Sequence, residues 1–112
     1  MNQTLSLTAH PRDIKESLDQ QNNLVLLDVR EPQERAIASI PGSIHIPMRE
    51  IPSRLDEITE YRNETIVVFC HLGVRSMQVV QFLASQDFPH VKNMEGGIEA
   101  WANEIDPEMR HY

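Results

Sequence analysis

Cysteine is nearly absent from this 112-residue chain: Cys70 is the only one. No disulfide can form within the chain, which fits a reducing compartment, and a tetrahedral cysteine-rich zinc site is excluded. The five histidines (His10, His45, His71, His90 and His111) show no tight ligand spacing, so no metal is expected. Long apolar runs are also missing, since nothing approaches the ~18 residues needed to span a bilayer. The segment from Met1 to Thr8 lacks a basic stretch followed by an apolar block, so no signal peptide is read there. Positive charge is scarce as well. Ten Lys and Arg face 17 Asp and Glu, a formal net charge of -7. Nucleic acids and anionic membranes both call for concentrated positive charge, which argues against either as a partner. A solvated acidic surface is the plain meaning of this balance, and a basic protein partner is the other. A soluble, cytoplasmic protein is expected.

What the chain does have is the composition of a globular protein, with 40% hydrophobic and 24% charged residues. Its length suits a single domain over residues 1–112, with one core and no room for two. Leu24-Val25-Leu26-Leu27-Asp28-Val29 is a short apolar run ending in charge, and Ile66-Val67-Val68-Phe69 is a second. Short, partly β-branched runs of this kind suit strands covered on both faces, as in a parallel sheet. Ser43-Ile44-His45-Ile46 alternates and reads as a strand nearer an edge. Val91-Lys92-Asn93-Met94 is a further, weaker candidate.

Helical segments fall between the strands. Pro11 suits the first turn of a helix that carries Ile14 and Leu18 on one face. Arg75 to Ser85 is the clearest helix, with Met77, Val80, Leu83 and Ala84 along one side. Arg49 to Ile58 holds one short helix or two, limited by Pro52. Gly96-Gly97 is a turn, and Ile98 to Asn103 a short final helix. This alternation predicts an α/β fold with a parallel sheet and helices on both faces. Ligands of such sheets bind beyond the C-terminal ends of strands, which is where Cys70 falls.

An apolar strand runs directly into Cys70; His71, Leu72, Gly73 and Val74 follow, and a helix begins at Arg75 and Ser76. A short strand-to-helix loop can aim several backbone N–H groups inward, and with the helix dipole they form an anion site. Gly73 suits backbone angles that other residues resist. A cysteine at the base of such a loop should have its thiol pKa lowered, and the thiolate is the nucleophile. Arg75 is expected to add permanent positive charge. Other readings stand beside this one. A lone cysteine ending a buried strand can be a small core residue. His71 can tune the thiolate, donate a proton or simply be solvated. Leu72 cannot attract a dianion and suits a pocket rim or a partner contact. Ser76 can cap the helix or donate to a bound sulfur, capping being the simpler role. Asp28 and Arg30 fit a structural ion-pair network better than catalysis.

Leu27-Asp28-Val29-Arg30-Glu31-Pro32 with Glu34, Ile40-Pro41-Gly42-Ser43 with Ile46-Pro47, Cys70-His71-Leu72-Gly73-Val74-Arg75-Ser76, and Gly96-Gly97-Ile98-Glu99-Ala100-Trp101 resemble, in order, the signatures of the rhodanese family. Together they cover about residues 5 to 105. The resemblance implies a rhodanese-like fold with a five-stranded parallel sheet. It also implies a sulfurtransferase that carries a persulfide on Cys70, cradled by backbone amides of His71 to Ser76. By the same analogy Asp28 and Arg30 serve stability. No cofactor is implied. The partners implied are a sulfur donor, thiosulfate or a persulfide, and an acceptor that is a small thiol, cyanide or a protein.

Two departures stand out. Ala38-Ser39 replace the family's usual Gly-His, so the turn near residue 38 is where geometry can differ. The loop also lacks the second basic residue of thiosulfate-preferring members. Trp101, Ile105-Asp106-Pro107 and Tyr112 resemble the end of rhodanese domains fused to adenylating enzymes, which pass sulfur to an activated carrier protein. Three alternatives to a donor-to-acceptor enzyme are a sulfur carrier in such an activation pathway, a non-catalytic docking or regulatory module, and a phosphatase or arsenate reductase of the same fold. The last has a loop one residue longer between its Cys and Arg than the four residues found here.

Overall fold

A computed structural model describes residues 7–112, so the reading of Met1 to Thr8 falls largely outside the described residues. Five strands, β1 (Thr8–Ala9), β2 (Leu24–Asp28), β3 (Ile44–His45), β4 (Thr65–Phe69) and β5 (Val91–Met94), form one sheet in the order β1-β5-β4-β2-β3. Every pairing is parallel. Four α-helices lie among them: α1 (Pro11–Asp19), α2 (Pro32–Ile37), α3 (Val74–Ser85) and α4 (Gly97–Glu104).

Strand alternation sends successive side chains to opposite faces, and each face has its own core. Leu27, Val29, Ile66, Val68 and Cys70 point to one side, where they meet Val79, Val80 and Leu83 of α3 together with Ile51 and Ile58. Leu26, Val67, Phe69 and Met94 point to the other, against Ile14 of α1 and Ile98 and Trp101 of α4. The continuous apolar character of β2 and β4 follows from this two-sided cover. Among the described residues no helix is long and apolar enough to cross a membrane.

The expected strands at 24–29, 66–69 and 43–46 form with shifted ends, and the one at 91–94 forms as expected. β3 is confined to Ile44–His45 and sits at the sheet edge. Pro11 occupies the first position of α1, and the side chain of His10 caps the helix by accepting from the Arg12 amide at 3.2 Å. The stretch Arg49–Ile58 is not α-helical. It forms 3-10 segments at Met48–Glu50 and Pro52–Glu57, followed by a third at Thr59–Tyr61. Pro52 lacks the N–H that a continuous helix would use, and Arg54 has non-helical angles. α2 and the two-residue β1 were not foreseen as elements.

Candidate active site

The loop after β4 is shaped by two glycines. Gly73 is the residue before α3 and has φ of +103°, a left-handed value that turns the chain back over the strand end. The amide of Gly73 thereby donates to Cys70 Sγ at 3.1 Å, and the amide of Ser76 donates to it at 3.4 Å. Ser76 Oγ lies 3.3 Å from the same sulfur. Gly97, with φ of +63°, allows α4 to press against the loop: a Cβ there would come within 2.6 Å of the Cys70 carbonyl oxygen. That close approach lets Ile98 N donate to the Cys70 carbonyl at 2.9 Å and Glu99 N to the His71 carbonyl at 3.1 Å. The first turns of two helices therefore hold the loop, α3 through the sulfur and α4 through the carbonyls.

Asn93 of β5 completes the cradle. It is buried, accepts the Ser76 hydroxyl through Oδ1, and donates from Nδ2 to the Gly73 carbonyl at 3.1 Å. Sequence reasoning passed over it. The available signal was an amide-bearing residue between Val91 and Met94, both buried, in a strand of the sheet interior.

Two influences compete at Cys70, which is only 1% exposed. Burial pushes the thiol pKa up. The Ser76 hydroxyl and the amides of Ser76, Gly73 and Leu72 favour the thiolate and outweigh it, so the net displacement is downward. The direction expected from the loop holds, although the sulfur lies deeper than a freely exposed nucleophile.

The remaining loop residues divide. Leu72 is 58% exposed and Val74 70%, so both stand at the surface as apolar groups. The His71 ring stacks on Tyr112, with centroids 4.0 Å apart. Arg75 brings to the loop the permanent positive charge expected of it, but that charge is paired. Its guanidinium is held by both oxygens of Glu34 at 2.7 and 2.8 Å. The pairing holds the Glu34 carboxyl at about 2, against the opposite push of burial. Capping by Ser76 is corrected. Helix α3 starts at Val74, one residue earlier than expected, and Gly73 occupies the cap position. Ser76 lies inside the first turn, so its hydroxyl faces Cys70 and Asn93.

Beside the loop, Asp28 and Arg30 are fully buried and paired through two hydrogen bonds of 2.9 and 2.8 Å. Arg30 also donates to the carbonyls of Ala38 at 2.7 Å and Glu34 at 3.3 Å. These bonds anchor the chain where Ala38-Ser39 replace the usual pair: Ala38 is extended at φ -157° and packs on the α1–α4 core. The network bonds Cys70 nowhere, in keeping with a structural part. Among the described residues no group of three or more His, Cys, Asp or Glu is placed to hold a metal ion.

Comparison with known proteins agrees with this architecture. A family described as the rhodanese-like domain matches residues 10–104. The putative sulfurtransferase YtwF of Bacillus subtilis is 38% identical over 95 residues, covering 85% of this chain and 89% of that protein. The adenylyltransferase and sulfurtransferase MOCS3 of Arabidopsis thaliana is 32% identical over 115 residues, covering 90% of this chain but only 25% of that protein. The crystal structure of a rhodanese-like domain protein from Staphylococcus aureus superposes with a TM-score of 0.80 at 30% identity, covering 94% of this chain and 97% of that one. The chain belongs to the rhodanese-like sulfurtransferase family.

Proposed function

We propose that this protein is a sulfurtransferase that carries sulfane sulfur as a persulfide on Cys70. One observation carries the reading: the amides of Gly73 and Ser76 converge on the Cys70 sulfur. Donors so placed stabilise negative sulfur, and they do so without reorganising during the reaction. In the first step the Cys70 thiolate attacks the outer sulfur of a donor. The new S–S bond forms as the donor's own S–S bond breaks, and the leaving group departs with the electron pair, as sulfite from thiosulfate or as a thiolate from a persulfide. In the second step an acceptor nucleophile attacks the terminal sulfur, and Cys70 leaves as thiolate. The sequence is ping-pong. With one cysteine in the chain the acceptor is external, a small thiol, cyanide or a protein.

The surroundings bear on the donor. Arg75 is paired with Glu34, and the exposed residues of the loop are Leu72 and Val74. A dianion gains little from such a rim. A persulfide on a thiol or on a protein suits it better than thiosulfate. The likeness to the putative sulfur carrier protein YrkF of Bacillus subtilis, 36% identical over 92 residues, favours a protein acceptor of the sulfur-carrier class.

The reading is tested by incubating the protein with a donor panel and weighing it. The expected product is Cys70 enlarged by one sulfur atom, with sulfur release on adding thiol, cyanide or carrier protein. Cys70→Ala should abolish transfer; undiminished turnover in that variant, or no adduct from any donor, would sink the proposal.

A further inference from the structure

Tyr112 stands 82 positions beyond Arg30 and 78 beyond Glu34, yet its phenol sits between them. Arg30 Nη1 donates to the phenol oxygen at 3.0 Å, and the phenol donates to Glu34 Oε2 at 3.0 Å. Glu34 grips Arg75 with both oxygens. The Tyr112 ring meanwhile lies flat on His71, the planes 13° apart. One side chain thus touches the residue that follows Cys70 and, through Glu34, the residue at the far end of the loop. The segment that carries it is anchored along its course. Ile105 and Met109 pack on the α4 core, and His111 Nδ1 meets both Glu99 oxygens at 3.2 Å. Tyr112 belongs to neither core cluster and is 36% exposed, so filling the interior does not explain its position.

We propose that Tyr112 is a positioning residue for the Cys70 loop. It clamps His71 and the Glu34–Arg75 pair together, and so holds the two ends of the loop at the separation where the amides of Gly73 and Ser76 meet on the sulfur. The proposal rests on Cys70 being the reacting atom. Its energetic content is preorganisation: amides already in place stabilise the thiolate and the sulfur that develops charge in transfer, whereas a loosened loop must first reassemble them. The charged and titratable groups around that thiolate are Arg75 with its partner Glu34 and, next in the chain, His71.

The test uses the full 112-residue chain as wild type, Tyr112→Phe and Tyr112→Ala. Phe keeps the ring on His71 and removes both phenol hydrogen bonds, while Ala removes everything. Two readouts are followed: the midpoint of the Cys70 thiolate titration by ultraviolet absorbance, and the rate of persulfide formation across a range of a small-molecule persulfide donor. Thermal melting gives the folded fraction to which rates are referred. In Tyr112→Ala the limiting rate should fall about tenfold with the half-saturating concentration changed less than about twofold, and the thiolate midpoint should rise by roughly half a unit or more. Tyr112→Phe should fall about threefold and lie between the two. A wild-type limiting rate and an unmoved midpoint in folded Tyr112→Ala overturn the proposal, as does a loss confined to half-saturation. If no donor loads wild-type Cys70, the sulfurtransferase reading fails by itself, and the titration midpoint decides the role of Tyr112.

Discussion

Ser76 has one hydroxyl hydrogen and two groups competing for it, Cys70 Sγ and Asn93 Oδ1. With the thiol protonated, Ser76 donates to Asn93 and accepts from the thiol. Once the thiol ionises, the same hydrogen can turn to the sulfur, so the hydroxyl favours the thiolate. Ser76→Ala leaves both amides in place and removes this contribution. The Cys70 midpoint should then climb toward that of an ordinary thiol, slowing persulfide formation at neutral pH. A midpoint equal to wild type would show that the amides alone suffice. Gly97 makes a different kind of prediction. Its left-handed angle and the absent Cβ are both needed where α4 meets the carbonyls of Cys70 and His71. Gly97→Ala should lose on the order of 3 kcal/mol or more in urea unfolding. A loss below about 0.5 kcal/mol would mean that helix and loop separate easily.

Between elements, the decisive contact is Glu34 of α2 with Arg75 of α3. Glu34 titrates near 2 in the fold against 4.5 ordinarily. A carboxyl depressed in this way contributes stability that is fully present above about pH 4.5 and lost as pH falls toward 2. The pair is partly solvated, so the contribution is on the order of 1–2 kcal/mol. Glu34→Gln should therefore flatten the decline in stability between about pH 5 and 2; an unchanged acid limb would contradict the pairing. The pair Asp28–Arg30, linking the end of β2 to the α2 region, is dry. Asp28→Ala strands a buried guanidinium and should cost about 3–5 kcal/mol in denaturant unfolding, while persulfide loading per folded molecule is preserved. Loss of loading in fully folded Asp28→Ala would instead tie the pair to the chemistry.

At the scale of the whole molecule, two cores share one sheet. β2 and β4 send Leu27 and Val68 to one face and Leu26 and Val67 to the other. Neither layer can come away without exposing apolar surface of the strands that the other layer also covers. Leu83→Ala beneath α3 should cost about 2–5 kcal/mol and Trp101→Ala beneath α4 about 3–5 kcal/mol, both lowering one and the same unfolding transition. Two transitions, each moved by one variant alone, would show that the layers unfold separately.

Much of this was legible before any coordinates. The apolar runs that became β2 and β4, the existence of α3, and the position of Cys70 at a strand end follow from local rules of covering and periodicity that act over a few residues, although the buried side of α3 carries Val79 and the expected Ala84 is exposed. β1, of two residues, and α2, of six, are too short for a period to show, and the one or two short helices expected around Pro52 form as tighter 3-10 turns. The site itself divides in the same way. That a cysteine, a glycine and a helix start form an amide cradle is written in a stretch of seven residues. Which charges the cradle keeps is not. Arg75 finds Glu34 across 41 positions, Ser76 finds Asn93 across 17, and Tyr112 reaches Arg30 across 82. No local pattern encodes those choices, because they are made by the packing of the two helical layers on the sheet. A stretch of seven residues is enough to locate the lone sulfur, whereas the pairing of Arg75 with Glu34 and the contact of Tyr112 with His71 arise only once distant segments pack together on the sheet.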